Sequence, residues 1–269
     1  HGFNRIPEAV QPSRNAMPAL TETRVAVDAM ADLLVQRGYH EAITYSFVEP
    51  GLQALFCPGE RALTLANPIS ADLAAMRLSL WPGLAAALQS NQRRQQPRVR
   101  LFEAGRKFVT QSGELREVEV IAGIAGGSAL PEQWGASKDA GDFFDVKADV
   151  EALLRATGDA DAFRFVPETH PALHPGQSAR IYRGATAVGW LGRLHPELEQ
   201  RLELTYSALV FEVETESGLR ARVPQHREIS RFPAVRRDLA MIVDESVAVQ
   251  QIIDCIRRSA GELLKDVVV

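Results

Sequence analysis

His170 and His174 stand four residues apart in the stretch His-Pro-Ala-Leu-His-Pro-Gly. On a helix that spacing would place two imidazoles on one face and suit zinc. Pro171 and Pro175 argue against a helix, and no third ligand is evident, so a structured loop is the expected outcome. Gly123, Gly126 and Gly127 follow a run of β-formers. Their spacing is not the dinucleotide-binding pattern, and no well-placed helix with an acidic residue follows, so they read as a strand-end turn. The chain contains neither Gly-x-Ser-x-Gly nor a P-loop, and Ser79, Ser90 and Ser178 have no evident partner base. The expected sets of catalytic, cofactor-binding and metal-binding residues in this chain are therefore empty. Cys57 and Cys255 lie far apart and offer neither a disulfide framework nor a zinc site, which fits a reducing cytosol.

Positive charge is the chemistry that remains. One cluster is Arg93, Arg94, Arg98, Arg100, Arg106 and Lys107; a second runs from Arg220 to Arg237. The 269 residues carry 30 Lys and Arg against 34 Asp and Glu, a formal net charge of −4. The whole molecule is thus no polycation, and any RNA contact must come from a local cluster. The first cluster reads as a solvated face or a subunit contact. The second reads equally as that or as a phosphate-facing surface, since an arginine-rich linker beside a small β-α-β piece suits phosphate. No apolar run approaches a membrane span, and no leader reads at the N-terminus. Both ends read as cut from something longer.

The elements that carry these residues follow from periodicity and punctuation. Residues 1–18 hold Pro7, Pro12 and Pro18 and no period, the mark of a tail or linker. A helix follows, with Thr21 and Glu22 near its start, Val27, Met30 and Leu34 on one face, and Gly38 as its stop. Strands are expected over 42–48, 99–108, 118–124, 179–182, 187–191 and 209–213, and helices over 82–96 and from an Asp142 N-cap. Phe143, Val146, Val150 and Leu153 share a face of the latter. In 209–213 the alternation of Leu209, Phe211 and Val213 with Val210 and Glu212 predicts one buried face. The candidate core includes Phe102, Phe144, Leu153, Trp190 and Phe211. After Gly218 periodicity fades through a linker. A strand over 238–243, a helix carrying Ile252, Ile253 and Ile256, a stop at Gly261 and a strand from Val267 follow. That is β-α-β and then nothing, an incomplete second domain.

Several longer stretches carry a resemblance. They are residues 38–48, Gly-Tyr-His-Glu-Ala-Ile-Thr-Tyr-Ser-Phe-Val; Asn67-Pro68-Ile69-Ser70; Met76-Arg77-Leu78-Ser79-Leu80-Trp81-Pro82-Gly83-Leu84; and Arg98-Val99-Arg100-Leu101-Phe102-Glu103-Ala104-Gly105. In that order they resemble the core of the β chain of the bacterial phenylalanine–tRNA ligase family. Residues 1–7 resemble the exit of that family's B5 domain, and residues 230–240 resemble the opening of its ferredoxin-like anticodon-binding domain. The resemblance implies an α+β fold: an antiparallel sheet flanked by helices, a class II aminoacyl-tRNA synthetase catalytic-like core. It implies four segments: 1–16, B5 tail and linker; 17–218, a non-catalytic core; 219–233, linker; 234–269, an incomplete ferredoxin-like domain.

The family's β core is described as catalytically silent. By the resemblance, Val109 falls where the catalytic α chain has an arginine that contacts ATP. Glu212, Glu214 and Glu216 fall where that chain binds adenine, and residues 174–178 lack its acidic residue. The implied function is support for the α subunit and for tRNA(Phe) in an α2β2 heterotetramer that uses ATP and Mg2+ in the cytoplasm, this fragment binding no cofactor and being inactive alone. Arg231, Arg236 and Arg237 are the tRNA-proximal candidates. Val25, Val27, Met30 and Leu34 are the subunit-interface candidates, divided between the domain's own core and a partner. The alternatives are an active class II-like amino-acid activating enzyme and a stand-alone RNA-binding module.

Overall fold

A computed structural model describes residues 23–111, 113–223, 226 and 233–268. The chain divides into two compact units at 224/225. The first is built on a seven-stranded sheet. Its strands in chain order are β1 (His40–Glu41), β4 (Arg98–Gln111), β5 (Glu114–Gly127), β6 (Phe163–Pro167), β7 (Leu173–Arg183), β8 (Thr186–Leu194) and β9 (Ala208–Glu214). The spatial order is β1-β4-β5-β9-β8-β7-β6. Every pairing is antiparallel except β1 with β4. A separate pair, β2 (Phe47–Val48) and β3 (Ala75–Met76), lies outside it.

Helices cover both faces, and this corrects the expectation of one buried face for 209–213. α2 (Pro50–Phe56), α3 (Trp81–Arg93) and α5 (Pro196–Arg201) contribute Phe56, Leu84, Leu88 and Leu198 to one apolar cluster, with Val120 and Val210 from the sheet. α1 (Val27–Gln36) and α4 (Phe143–Arg155) contribute Met30, Leu34, Val146, Val150 and Leu153 to the other, with Phe102, Ile121 and Phe211. β9 is central, so its alternate residues enter two cores instead of one core and solvent. Burial of this apolar surface on both faces is the main stabilising term. Gly123 lies opposite Phe211 in the β5–β9 register. A Cβ there would come within 2.3 Å of the Phe211 ring, so the glycine admits the ring across the strand.

Local signals explain the helices. Asp142 accepts from the backbone N–H groups of Phe144 and Asp145, and Asp145 returns a bond to the Asp142 N–H. This reciprocal cap stabilises α4 by about 1 kcal/mol. The helix starts at Phe143, which puts Phe143 toward the core and Phe144 outward at 70% exposure. Phe144 is thus not a core residue; its neighbour is. Gly38, at φ +84°, turns the chain out of α1. Thr21 and Glu22, expected near the start of that helix, lie outside the described residues.

The expected strand over 42–48 is broken: β1 and β2 are short pieces, and residues 42–46 between them are not strand. Thr44 instead turns its hydroxyl to Glu103, which also binds Arg77. Satisfying that buried pair outweighs strand propensity. Leu219, just after the short α6 (Thr215–Gly218), is core, and the next residues stay attached to the first unit. Ala221 donates to the Thr23 carbonyl and Arg222 to that of Thr157.

In the second unit, α7 (Val249–Ala260) is present and Gly261, at φ +57°, ends it. The strands expected over 238–243 and from Val267 are not formed. Leu239, Met241 and Ile242 are exposed. A strand needs a neighbour for its backbone groups and a face to bury its side chains, and among the described residues these have neither.

Candidate functional site

The sheet's α3 side holds a cavity of about 160 Å³, lined by Cys57, Ser79, Trp81, Lys107, Val109, His170, Arg180, Trp190, Glu212 and Glu214 among others. β4 places Lys107 and Val109 there, two residues apart on one face. β9 places Glu212 and Glu214 in the same way. Lys107 Nζ lies 3.0 Å from Glu212 Oε1 and 3.4 Å from Glu214 Oε1. Burial alone would lower the Lys107 pKa, but Glu212 and then Glu214 outweigh it and leave it raised. The second oxygen of Glu212 accepts from the Ser79 hydroxyl at 2.7 Å and the Leu80 N–H at 3.0 Å. A carboxylate is favoured at this point, where the start of α3 presents its positive dipole end.

His170 is held between two indoles, 5.2 Å from Trp81 and 4.8 Å from Trp190 by ring centroids. Its Nδ1 accepts from the Ala172 N–H at 3.1 Å. Burial pushes its pKa down to about 4, so at neutral pH it is an uncharged ring. Arg180 lies over the outer side of Trp190, 4.5 Å from the centroid. Burial pushes the Cys57 thiol up to about 12, and it is no nucleophile at neutral pH.

The opposite face holds a second buried polar group. Asp149 on α4 accepts from Arg37 Nε at 2.5 Å, Arg100 Nη1 at 2.8 Å and the Tyr39 hydroxyl at 2.9 Å. Burial raises the Tyr39 pKa, with Asp149 adding to it. Sequence reading passed over Asp149. A signal existed: it stands three residues after Val146, on the apolar face of an amphipathic helix.

The structure gathers some candidates and scatters others. Val109, Glu212 and Glu214 meet at one cavity, whereas Glu216 is exposed and pairs with Arg24 at 3.8 Å. His170 lines the cavity and His174 does not; His174 accepts from the Gly176 N–H in the irregular start of β7. Among the described residues no group of three or more His, Cys, Asp or Glu is placed to hold a metal. The first basic cluster disperses: Arg100 binds Asp149, Arg106 binds Glu117 and Glu119, and Arg93 binds Glu203. Met30 and Leu34 are fully buried in the unit's own core, Val25 packs partly against it, and Val27 is 37% exposed. Arg236 and Arg237 are exposed, and Arg231 lies outside the described residues.

Comparison with known proteins agrees with this geometry. A family model described as "Phenylalanyl tRNA synthetase beta chain CLM domain" matches residues 6–215, and one described as "Ferredoxin-fold anticodon binding domain" matches residues 230–269. Phenylalanine–tRNA ligase beta subunits are similar over 99% of this chain in Pseudomonas fluorescens, at 53% identity, and in Nitrosococcus oceani, at 45%. The chain spans 34% of the length of either relative. Among solved structures, a pyrrolysyl tRNA synthetase of Desulfitobacterium hafniense superposes with a TM-score of 0.57 at 17% identity. The match covers 72% of this chain and 64% of that one. That likeness is one of fold alone.

Proposed function

The chain belongs to the phenylalanine–tRNA ligase β-subunit family, and on that premise we propose that it is a catalytically silent core supporting a separate α subunit and tRNA(Phe) during ATP-dependent charging. The observation that carries this reading is the closed pairing of Lys107 with Glu212 and Glu214. Phosphoanhydride chemistry needs positive charge aimed at the phosphates. Lys107 is spent on two carboxylates, Arg180 lies on an indole, and Val109 presents an apolar side chain where the resemblance aligns an ATP-contacting arginine. Three carboxylates, those of Glu60, Glu212 and Glu214, line the same space and repel a polyphosphate. The residues present do not fit ATP with Mg2+, so both belong to the complete enzyme's α chain. Phenylalanine-dependent pyrophosphate exchange by the purified chain is the test. Exchange equal to a heat-killed control is expected; exchange above it overturns the reading.

The segments keep their proposed roles: 1–16 as a B5 tail, 17–218 as the silent core, 219–233 as linker and 234–269 as part of an anticodon-binding domain. In an α2β2 assembly in the cytoplasm, the exposed side of α1 at Val27, with the half-buried Val25 just before the helix, meets a partner, while Met30 and Leu34 support it from within. Arg231, Arg236 and Arg237 are the tRNA-facing candidates. Replacing all three by alanine in a full-length β chain with its α partner weakens tRNA binding and flattens its salt dependence, with amino-acid activation unchanged. Unchanged affinity at low salt makes them structural.

A further inference from the structure

The cavity on the α3 side satisfies most of its own polar lining. Glu212 accepts from Lys107, Ser79 and the Leu80 N–H, and Glu214 accepts from Lys107 and Ser217. Ser79 accepts in turn from the Trp81 N–H, and the Trp81 indole donates to the Phe211 carbonyl. Cys57 stays a thiol at neutral pH. Two charges are left over. Among the described residues the Arg180 guanidinium has no ion pair or hydrogen bond; it contacts only the Trp190 ring. A guanidinium over a ring keeps its N–H edge for a planar carboxylate. Glu60 lines the cavity from an exposed position, and among the described residues its carboxylate has no donor either.

These two charges lie apart. His170 feels Arg180, together with Glu212 and Lys107, but not Glu60. Glu60 acts instead on the Cys57 thiol, ahead of Glu212 and Lys107. The closed Lys107 pairing thus separates an open cation at the His170 end from an open anion at the Cys57 end. The remaining lining is uncharged: Leu78, Val109, Gly189, the two indoles and the neutral imidazole. The space is about 160 Å³, below the roughly 300–1,000 Å³ of drug-sized sites, so its ligand is small.

Resting on the reading of this core as catalytically silent, we propose that the cavity binds a short linear zwitterion, an ω-amino carboxylate, whose carboxylate pairs with Arg180 and whose ammonium pairs with Glu60. A simple carboxylate at Arg180 would share the space with three carboxylates, those of Glu60, Glu212 and Glu214. A simple amine at Glu60 would share it with Lys107 and Arg180. A zwitterion answers both ends without net charge. An α-amino acid carries its charges one carbon apart and answers one end only. Methylenes between the charges let a linear ligand span the cavity and pack on its apolar and aromatic walls.

Ligand-observed NMR titration of the 269-residue chain tests this. The probes are γ-aminobutyrate, ε-aminocaproate, glycine, phenylalanine, butylamine and butyrate. At least one of the two ω-amino carboxylates is expected to bind about fivefold or more tighter than each of the remaining probes, the worth of one partly exposed ion pair. Arg180→Gln is expected to bind that ligand no better than butylamine, and Glu60→Gln no better than butyrate. Glu60 is exposed, so its substitution leaves the fold intact. No binding overturns the proposal. So does binding of glycine, phenylalanine, butylamine or butyrate as tight as that of the ω-amino carboxylates, or a Glu60→Gln chain that keeps the preference of its parent. Pyrophosphate exchange is measured on the same sample. Failure to bind with exchange at the control level overturns this proposal and leaves the silent core standing; exchange above the control overturns the silent core itself.

Discussion

Lys107 and Arg98 are hidden cations on one strand, β4, and they differ in what stands opposite. Lys107 faces the α3 side, where Glu212 and Glu214 close on it within 3.4 Å. Arg98 faces the α4 side, two residues from Arg100, where Asp149 already accepts from Arg37 and Arg100. The first cation is part of the architecture and is unavailable to a ligand. The second is partly buried, makes one long bond to a backbone carbonyl among the described residues, and feels Asp149 through space. What fixes a charge on this strand is the balance of the neighbourhood, not the residue type.

The largest effect expected from disturbing that balance is at Asp149. Asp149→Ala strands Arg37 and Arg100 without a counter-charge and is expected to cost about 3–5 kcal/mol in urea unfolding. A cost below about 1 kcal/mol would mean that the α4 face tolerates unpaired cations generally. Next is Lys107→Met, expected to cost about 2–3 kcal/mol because Glu212 and Glu214 are left facing each other. Adding Glu212→Gln is expected to return part of that loss, and a double-mutant cycle measures the coupling. Strict additivity would break the picture of a closed pair.

The smallest effect is conditional on pH. The His170 imidazole titrates at about 4 in the folded chain against 6.5 for the free group. Between those values the unfolded chain takes up a proton that the folded chain refuses, so stability is complete above pH 6.5 and falls as pH falls toward 4. The loss reaches roughly 2–3 kcal/mol at the bottom of the window. His170→Phe keeps a ring between Trp81 and Trp190 and is expected to remove that part of the acid limb. An unchanged pH profile would mean that His170 is protonated without cost.

Much of the frame was legible. The period-2 runs that became β4, β5, β7, β8 and β9 lie where alternation put them, because a strand's pattern is local to it. Asp142 announced α4 and Gly261 the end of α7, since caps act within one turn. Local logic misled where a partner decided. Residues 42–46 have strand propensity, yet Thr44 answers to Glu103, 59 positions away. Residues 238–243 read as a strand, but no neighbour among the described residues pairs them.

By itself the sequence determined the elements, their order and, through long matched motifs, the family, because each rests on spacings read along one stretch of chain. The tertiary structure alone decided which charges meet. Glu212 pairs with a lysine 105 positions away, and Asp149 gathers Arg37 and Arg100 from two other elements. Coulomb interactions depend on distance in space and on burial, and neither quantity is written in the spacing of residues along a chain.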